Sequence, residues 1–262
     1  MARDVKPKRE RAKAGDTAIY LYCISRGAAV ASRKIRGVNS GSLVEPLRCD
    51  NLVCWTSRVP RAEFTERLSA NMENLDWLAA ASVRHQHAVA EVARDRDVLP
   101  ARFGVVFLSE ESLRDDIRGR AAILDADFRR VGNCEEWGVK VFAAPPRAPV
   151  AARKSKGKLS GKDYLRAKSA LLPRRAAKKP DSEIEPFAAA LEQISREDAE
   201  GGRISGGQNG MLYQASLLIE RPKRRRFESI LKHFSKQWAG ARRIECTGPW
   251  PPYSFVSRSS IS

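Results

Sequence analysis

The alternation of apolar and polar positions divides the chain into strands and helices of ordinary length. Ala18-Ile-Tyr-Leu-Tyr-Cys-Ile24 is a continuous apolar run rich in β-branched and aromatic residues, which predicts a central strand covered on both faces. Short extended pieces are expected near 28–32 and 41–45, and a firmer strand over 51–56. Pro60 opens a helical region, and between Asn74 and Arg94 the positions Leu75, Leu78, Ser82, His85, Val89 and Val92 make one stripe. Val98 to Phe107 reads as a turn entering a strand. Ser109 is a fitting N-cap, with Glu110 and Glu111 in the first turn where the helix dipole favours acids. That helix carries Leu113, Ile117, Ala121, Leu124, Phe128 and Val131 and stops at Gly132. Trp137, Val139 and Val141 alternate along a strand over 136–142.

A Pro-, Ala- and Lys/Arg-rich stretch over 146–158 then breaks the pattern. Beyond it, Ser160 and Asp163 can cap a helix carrying Tyr164, Leu165 and Leu171, and 176–181 is expected to be mobile. A further helix runs from about Ser182, with Ile184, Phe187, Ala188, Leu191 and Ile194 on one face. Glycines over 201–210 bracket a short strand and a turn that lead into a main strand, Met211 to Glu220. Phe227, Ile230, Leu231, Phe234 and Trp238 mark the last helix, Gly240 ends it, and 242–246 is the closing strand. Strands separated by helices, without a long βαβα series, favour α+β over a doubly wound sheet. The expected layout is a basic flexible tail over 1–16, an N-terminal domain over 17–145, a basic linker over 146–158 and a smaller C-terminal α+β domain over 159–257.

Composition fits a soluble globule, with 42% hydrophobic and 30% charged residues in 262. The longest apolar runs are far too short to span a bilayer, and no apolar segment follows the basic N-terminus, so a cytoplasmic protein is expected, without membrane insertion. The five cysteines (Cys23, Cys49, Cys54, Cys134 and Cys246) are scattered, which points to reduced, buried small hydrophobes rather than disulfides or a zinc site. The net charge of +17 is concentrated. Residues 147–179 hold twelve Lys/Arg against one acid, and 221–226 hold five Lys/Arg, while the body is close to neutral. Such runs can hold nucleic acid or an anionic surface; the plainer reading is solvated segments.

No reactive constellation stands out. The glycines over 201–210 lack the Lys-Ser/Thr of a phosphate loop, and a strand rather than a helix follows. His85 and His87 are two apart, on different sides of a helix, so they cannot easily share a metal. His85 on an apolar stripe reads as a hydrogen-bonded core residue. There is no nucleophile elbow, and the pairs Glu135-Glu136 and Asp115-Asp116 are adjacent carboxylates on surface positions. No catalytic residue, cofactor or metal site is expected. The chain reads as one that binds or scaffolds.

Three segments carry a resemblance. Val98-Leu-Pro-Ala-Arg102-Phe103-Gly104-Val-Val-Phe107, Glu136-Trp137-Gly138-Val-Lys-Val141 and Thr247-Gly248-Pro249-Trp250-Pro251-Pro252-Tyr253-Ser-Phe255-Val256 resemble, in order and spacing, the landmark motifs of the gas-vesicle GvpF/GvpL family. Tyr20 to Ile24 is similar to that family's first strand, His85 falls where a histidine is usual in its long helix, and Gly161 to Leu165 resembles the helix after the linker. Cys23, Val105 and Cys246 depart from the usual glycine, threonine and leucine, all as small or apolar exchanges. The resemblance implies two α+β domains, the first ferredoxin-like. It also implies a non-enzymatic accessory or minor structural protein of gas vesicle assembly, with the hydrophobic shell subunit GvpA and other accessory proteins as partners and no nucleic acid among them. The alternative from the residues themselves is a polyanion-binding protein that uses 147–179 and 221–226.

The motif residues Arg102, Phe103, Gly104, Trp137, Gly138, Gly248, Pro249, Trp250, Pro251, Pro252 and Tyr253 are candidates for an interface or a latch. Prolines fix the backbone, while Trp250, Tyr253 and Phe255 supply apolar area. That suits an aromatic latch pinning the C-terminus across the interface between domains, and it equally suits direct partner contact. Arg102, an arginine inside a strand motif, needs an acceptor, which predicts a buried or interdomain hydrogen-bonded pair.

Overall fold

The computed structural model describes residues 16–144, apart from Ser32 and Ser40, together with 182–200 and 210–257. The tail, the linker, the helix expected at Ser160, the 176–181 stretch and the glycines over 201–207 lie outside the described residues. Those described group into two compact units. One holds the chain up to Trp137, Leu218–Arg221 and the residues from Thr247 onward; the other holds Gly138–Leu217 and Pro222–Cys246.

The first unit is built on β1 (Thr17–Arg26), whose residues Ala18 to Ile24 are all buried. Its apolar run is continuous because the strand has neighbours on both edges. On one side it pairs antiparallel with β3 (Leu52–Pro60), which pairs in turn with the edge strand β2 (Glu45–Cys49). On the other side lie the short β4 (Val98–Pro100) and β5 (Val106–Phe107), so the order is β2-β3-β1-β4 with β5 beside β1. Pro60 has no N–H to continue a ladder and ends β3; a single π-helical turn (Ala62–Glu66) follows, then α1 (Leu68–Glu73) and α2 (Leu75–Ala93). Asn74 caps α2 by accepting the Trp77 N–H.

The buried face of α2 is Ala81, His85, Ala88, Val89 and Val92. Leu75, expected on this stripe, is 77% exposed. Trp77 takes its place, packing on the core with its ring 5.5 Å from that of Phe64. α3 (Glu110–Gly119) starts at Ser109 in a reciprocal hydrogen-bonded box with Ser112. The expected single helix over 110–131 is two, because Arg120 leaves helical geometry (φ −110°, ψ 10°) before α4 (Ala121–Val131), which Gly132 terminates.

The second unit takes up most of β6 (Cys134–Ala143), then α5 (Glu185–Glu192), β7 (Ser195–Glu200), β8 (Met211–Glu220), α6 (Arg224–Gln237) and β9 (Arg242–Trp250). Its sheet order is β7-β8-β6-β9. A β-α-β-β-α-β series with its first and third strands in the centre is the ferredoxin-like arrangement. The mixed α+β architecture with two antiparallel sheets is therefore as expected, but the ferredoxin-like series lies in the second unit. In the first, three strands precede any helix and the middle strands join by a hairpin. Phe187, Phe234 and Trp238 make the aromatic centre of the second unit, with ring centroids 5.1–5.2 Å apart.

Candidate functional site

In the first unit the Arg102–Gly104 loop is held from below by a hydrogen-bonded chain. The His85 Nε2 faces the Ala101 carbonyl at 3.2 Å, an oxygen that can only accept, so Nε2 carries the proton and Nδ1 is the acceptor. Tyr20 donates its hydroxyl to that Nδ1 at 3.0 Å and receives the Gly104 N–H at 3.0 Å. Strand β1, helix α2 and the loop are thereby tied through one neutral imidazole. Burial lowers the His85 pKa to about 4, against a smaller opposing effect of the Ala101 bond. This is the core histidine expected from the stripe.

The C-terminal segment is fastened by two carboxylates. Glu136 accepts the Ser254 N–H at 2.8 Å and its hydroxyl at 2.6 Å; Asp127 accepts the Ser257 N–H at 2.9 Å and its hydroxyl at 2.8 Å. Arg130 bridges Asp127, at 2.9 Å, to the Phe255 carbonyl. Glu136 is buried rather than on the surface as its neighbour Glu135 suggested, and desolvation raises its pKa in spite of the two Ser254 bonds. Gly248 makes the approach possible. A Cβ there would stand 2.8 Å from the Glu136 carbonyl oxygen and 3.1 Å from the Trp137 indole, and its φ of +127° suits glycine alone. Gly138 follows on β6, half-buried, in the second unit.

The motif Gly248 to Phe255 is therefore not uniform. Its first residues extend β9 to Trp250, longer than the 242–246 expected. Pro251, Pro252 and Phe255 are buried and Tyr253 is half-buried, while Trp250 is 44% exposed. Two clefts open beside it. One, of about 460 Å³, is lined by Pro249–Pro252 with Ala90, Ala93, Arg94, Arg96 and Arg221. The other, of about 260 Å³, is lined by Ser82, His85, Gln86, Arg102, Phe103 and Tyr253. Arg102 is exposed on its rim and no acceptor meets its guanidinium among the described residues, so the expected buried pair is not formed. The motif sits at the loop between β4 and β5, where the chain has left the sheet and the side chain turns outward.

Of the basic cluster 221–226, Arg221 pairs with Asp97 (3.1 Å) and Glu135 (3.8 Å), and Arg224 with Glu228 (3.0 Å), so part of its charge is met in place. Cys23, Cys49, Cys54 and Cys134 are buried and Cys246 is exposed. Among the described residues no group of His, Cys, Asp and Glu could hold a metal, and no helix is long and apolar enough to cross a membrane.

Comparison with known proteins follows the same residues. Positions 18–257 match the family described as Gas vesicle synthesis protein GvpL/GvpF. The chain belongs to the GvpL/GvpF family. Gas vesicle protein L of Streptomyces sp. (strain CB03234) is 31% identical over 260 residues, covering 90% of this chain and 92% of that one. The crystal structure of GvpF from Anabaena sp. PCC7120 is similar with a TM-score of 0.67 at 20% identity, covering 92% of this chain and 96% of that chain. That of GvpF from Microcystis aeruginosa gives 0.64 at 18%, covering 92% and 99%, so the fold is shared across the whole described length. As a GvpL/GvpF protein the chain takes part in gas vesicle formation, in a family of structural and accessory proteins that is no known enzyme class.

Proposed function

We propose that this GvpL/GvpF chain acts by binding: it holds the hydrophobic shell subunit GvpA, and other accessory proteins, while the vesicle assembles in the cytoplasm. The observation that carries this reading is Trp250. In a segment otherwise secured by Glu136, Asp127 and buried prolines, one indole is left 44% exposed between two clefts. Large apolar side chains that stay exposed on a rigid support are typical contact anchors. A shell subunit must display apolar surface before it polymerises, and a protein that covers this surface suppresses premature association. Trp137, Gly248, Pro251 and Pro252 serve as the latch that holds the support; Arg102, Phe103, Tyr253 and Trp250 face the partner.

Co-purification of the full chain with the shell subunit tests this. Retention of the subunit, weakened severalfold by Trp250→Ala without a change in melting temperature, is the expected result. Failure to retain it, together with normal vesicles in a strain lacking this chain, overturns the reading.

A further inference from the structure

Both clefts share one wall, the outward side of α2. At 100° per residue, Leu75, Ala79, Val83, Gln86, Ala90 and Ala93 fall in one narrow sector that contains no charge, whereas Asp76, Arg84, Glu91 and Arg94 lie outside it. Leu75 is 77% and Val83 65% exposed. The strip extends for about 27 Å along the helix. Gln86 lines the cleft beside Phe103 and Tyr253; Ala90 and Ala93 line the cleft beside Trp250. It is thus a floor with aromatic and proline walls along part of its length, and not a bare helix face.

We infer that this strip, from Leu75 to Ala93, is the docking surface for an apolar α-helix of a protein partner that carries carboxylates along one edge. The shape favours a helix. A straight uncharged floor of small side chains lets a second helix approach at the short end of the usual 8–10 Å separation. The charge favours acid. Arg102 stands at one cleft without an acceptor among the described residues, and Arg94 and Arg96 stand at the other. A second copy of this chain fits poorly, because two-fold pairing would set one cationic rim near another in a protein of net charge +17. The Tyr253 hydroxyl, which has no hydrogen-bond partner among the described residues, adds a donor beside Arg102.

The inference deepens the binding role proposed above and rests on it for the choice of partner to test. The full chain is immobilised and challenged separately with the shell subunit and with each accessory protein encoded beside it, using wild type, Val83→Glu, Arg102→Glu and Leu108→Glu. Leu108 is 62% exposed and lines neither cleft, so its variant controls for added acidic charge. Circular dichroism and melting curves matching wild type establish that each variant folds. Loss of more than tenfold in retained shell subunit for Val83→Glu and Arg102→Glu, with Leu108→Glu within twofold, supports both the groove and the shell-subunit reading. The same pattern for an accessory protein, with no shell subunit bound, supports the groove and overturns that reading. Binding within twofold of wild type for Val83→Glu and Arg102→Glu overturns the groove and leaves the shell-subunit reading standing. If no protein of the set is retained by wild type, both fall.

Discussion

Ser254 gives both its backbone N–H and its hydroxyl to the two oxygens of the Glu136 carboxylate, at 2.8 and 2.6 Å. A residue 118 positions away on β6 is thereby the anchor for the C-terminal turn. The bonds go to a buried acceptor, so their removal leaves it undersupplied. Ser254→Ala should lower stability by about 1–2 kcal/mol, read from urea unfolding. An unchanged midpoint would mean that the segment is held by Pro251, Pro252 and Phe255 packing alone.

Glu136 also sets a direction for pH dependence. Burial raises its pKa in the folded protein above the ordinary glutamate value. Its contribution to stability is therefore fully present at pH below that ordinary value and is lost as pH rises through the raised one. Glu136→Gln should remove this falling component. The difference between wild type and variant, measured across pH 4 to 8, should change in that sense; a flat difference counts against it.

His85 works in the opposite direction. Its pKa is lowered from 6.5 to about 4, so the unfolded chain binds a proton in that interval that the folded one does not. Stability should rise from pH 4 to 6.5, with a span of roughly 3 kcal/mol from this group at about 1.4 kcal/mol per unit. His85→Gln should flatten that limb in denaturant titrations at pH 4.5 and 7. A variant as acid-sensitive as wild type would place the slope elsewhere.

Gly248→Ala should cost more than about 2 kcal/mol, since the new Cβ meets the Glu136 carbonyl and the Trp137 ring in a conformation that only glycine adopts readily. Gly27→Ala is the comparison: its φ of +94° is also positive, but a Cβ there meets nothing within 4 Å. That change should cost only the backbone part, about 1 kcal/mol. Equal losses at the two positions would show that the close approach at Gly248 is unimportant. Limited proteolysis at the C-terminal segment gives an independent reading.

Arg102→Ala should leave the melting temperature unaltered and stability within about 0.5 kcal/mol, because the side chain is exposed and unpaired among the described residues. A substantial loss would restore the buried pair that the sequence suggested.

The contrast between Arg102 and His85 shows where sequence reasoning reaches. Periodicity identifies a residue on a buried stripe, so His85 and the all-buried β1 were legible. It also located Ser109 as a cap, because a helix start is a local event. Arg102 was misread since a motif says which residues recur together and not which way a loop points them. Ser254, Ser257, Asp127 and Arg130 gave no signal: their bonds join positions more than a hundred residues apart, and ordinary serines and acids look solvated until folded. An S-x-x-S spacing after the prolines was the only available hint. Likewise β7, Ser-Arg-Glu-Asp-Ala-Glu, has no apolar period because it is an edge strand.

The first unit is discontinuous in sequence: it needs Leu218–Arg221 and the residues from Thr247 onward as well as everything before Gly138. During synthesis the chain emerges in order, so β1, α2 and the His85 tie can assemble long before Ser254 leaves the ribosome. The Glu136 carboxylate and both clefts stay incomplete until then. The surface proposed to receive a partner is thus finished only with the last part of the chain, and a nascent or C-terminally clipped copy cannot compete for the client that the whole protein is built to hold.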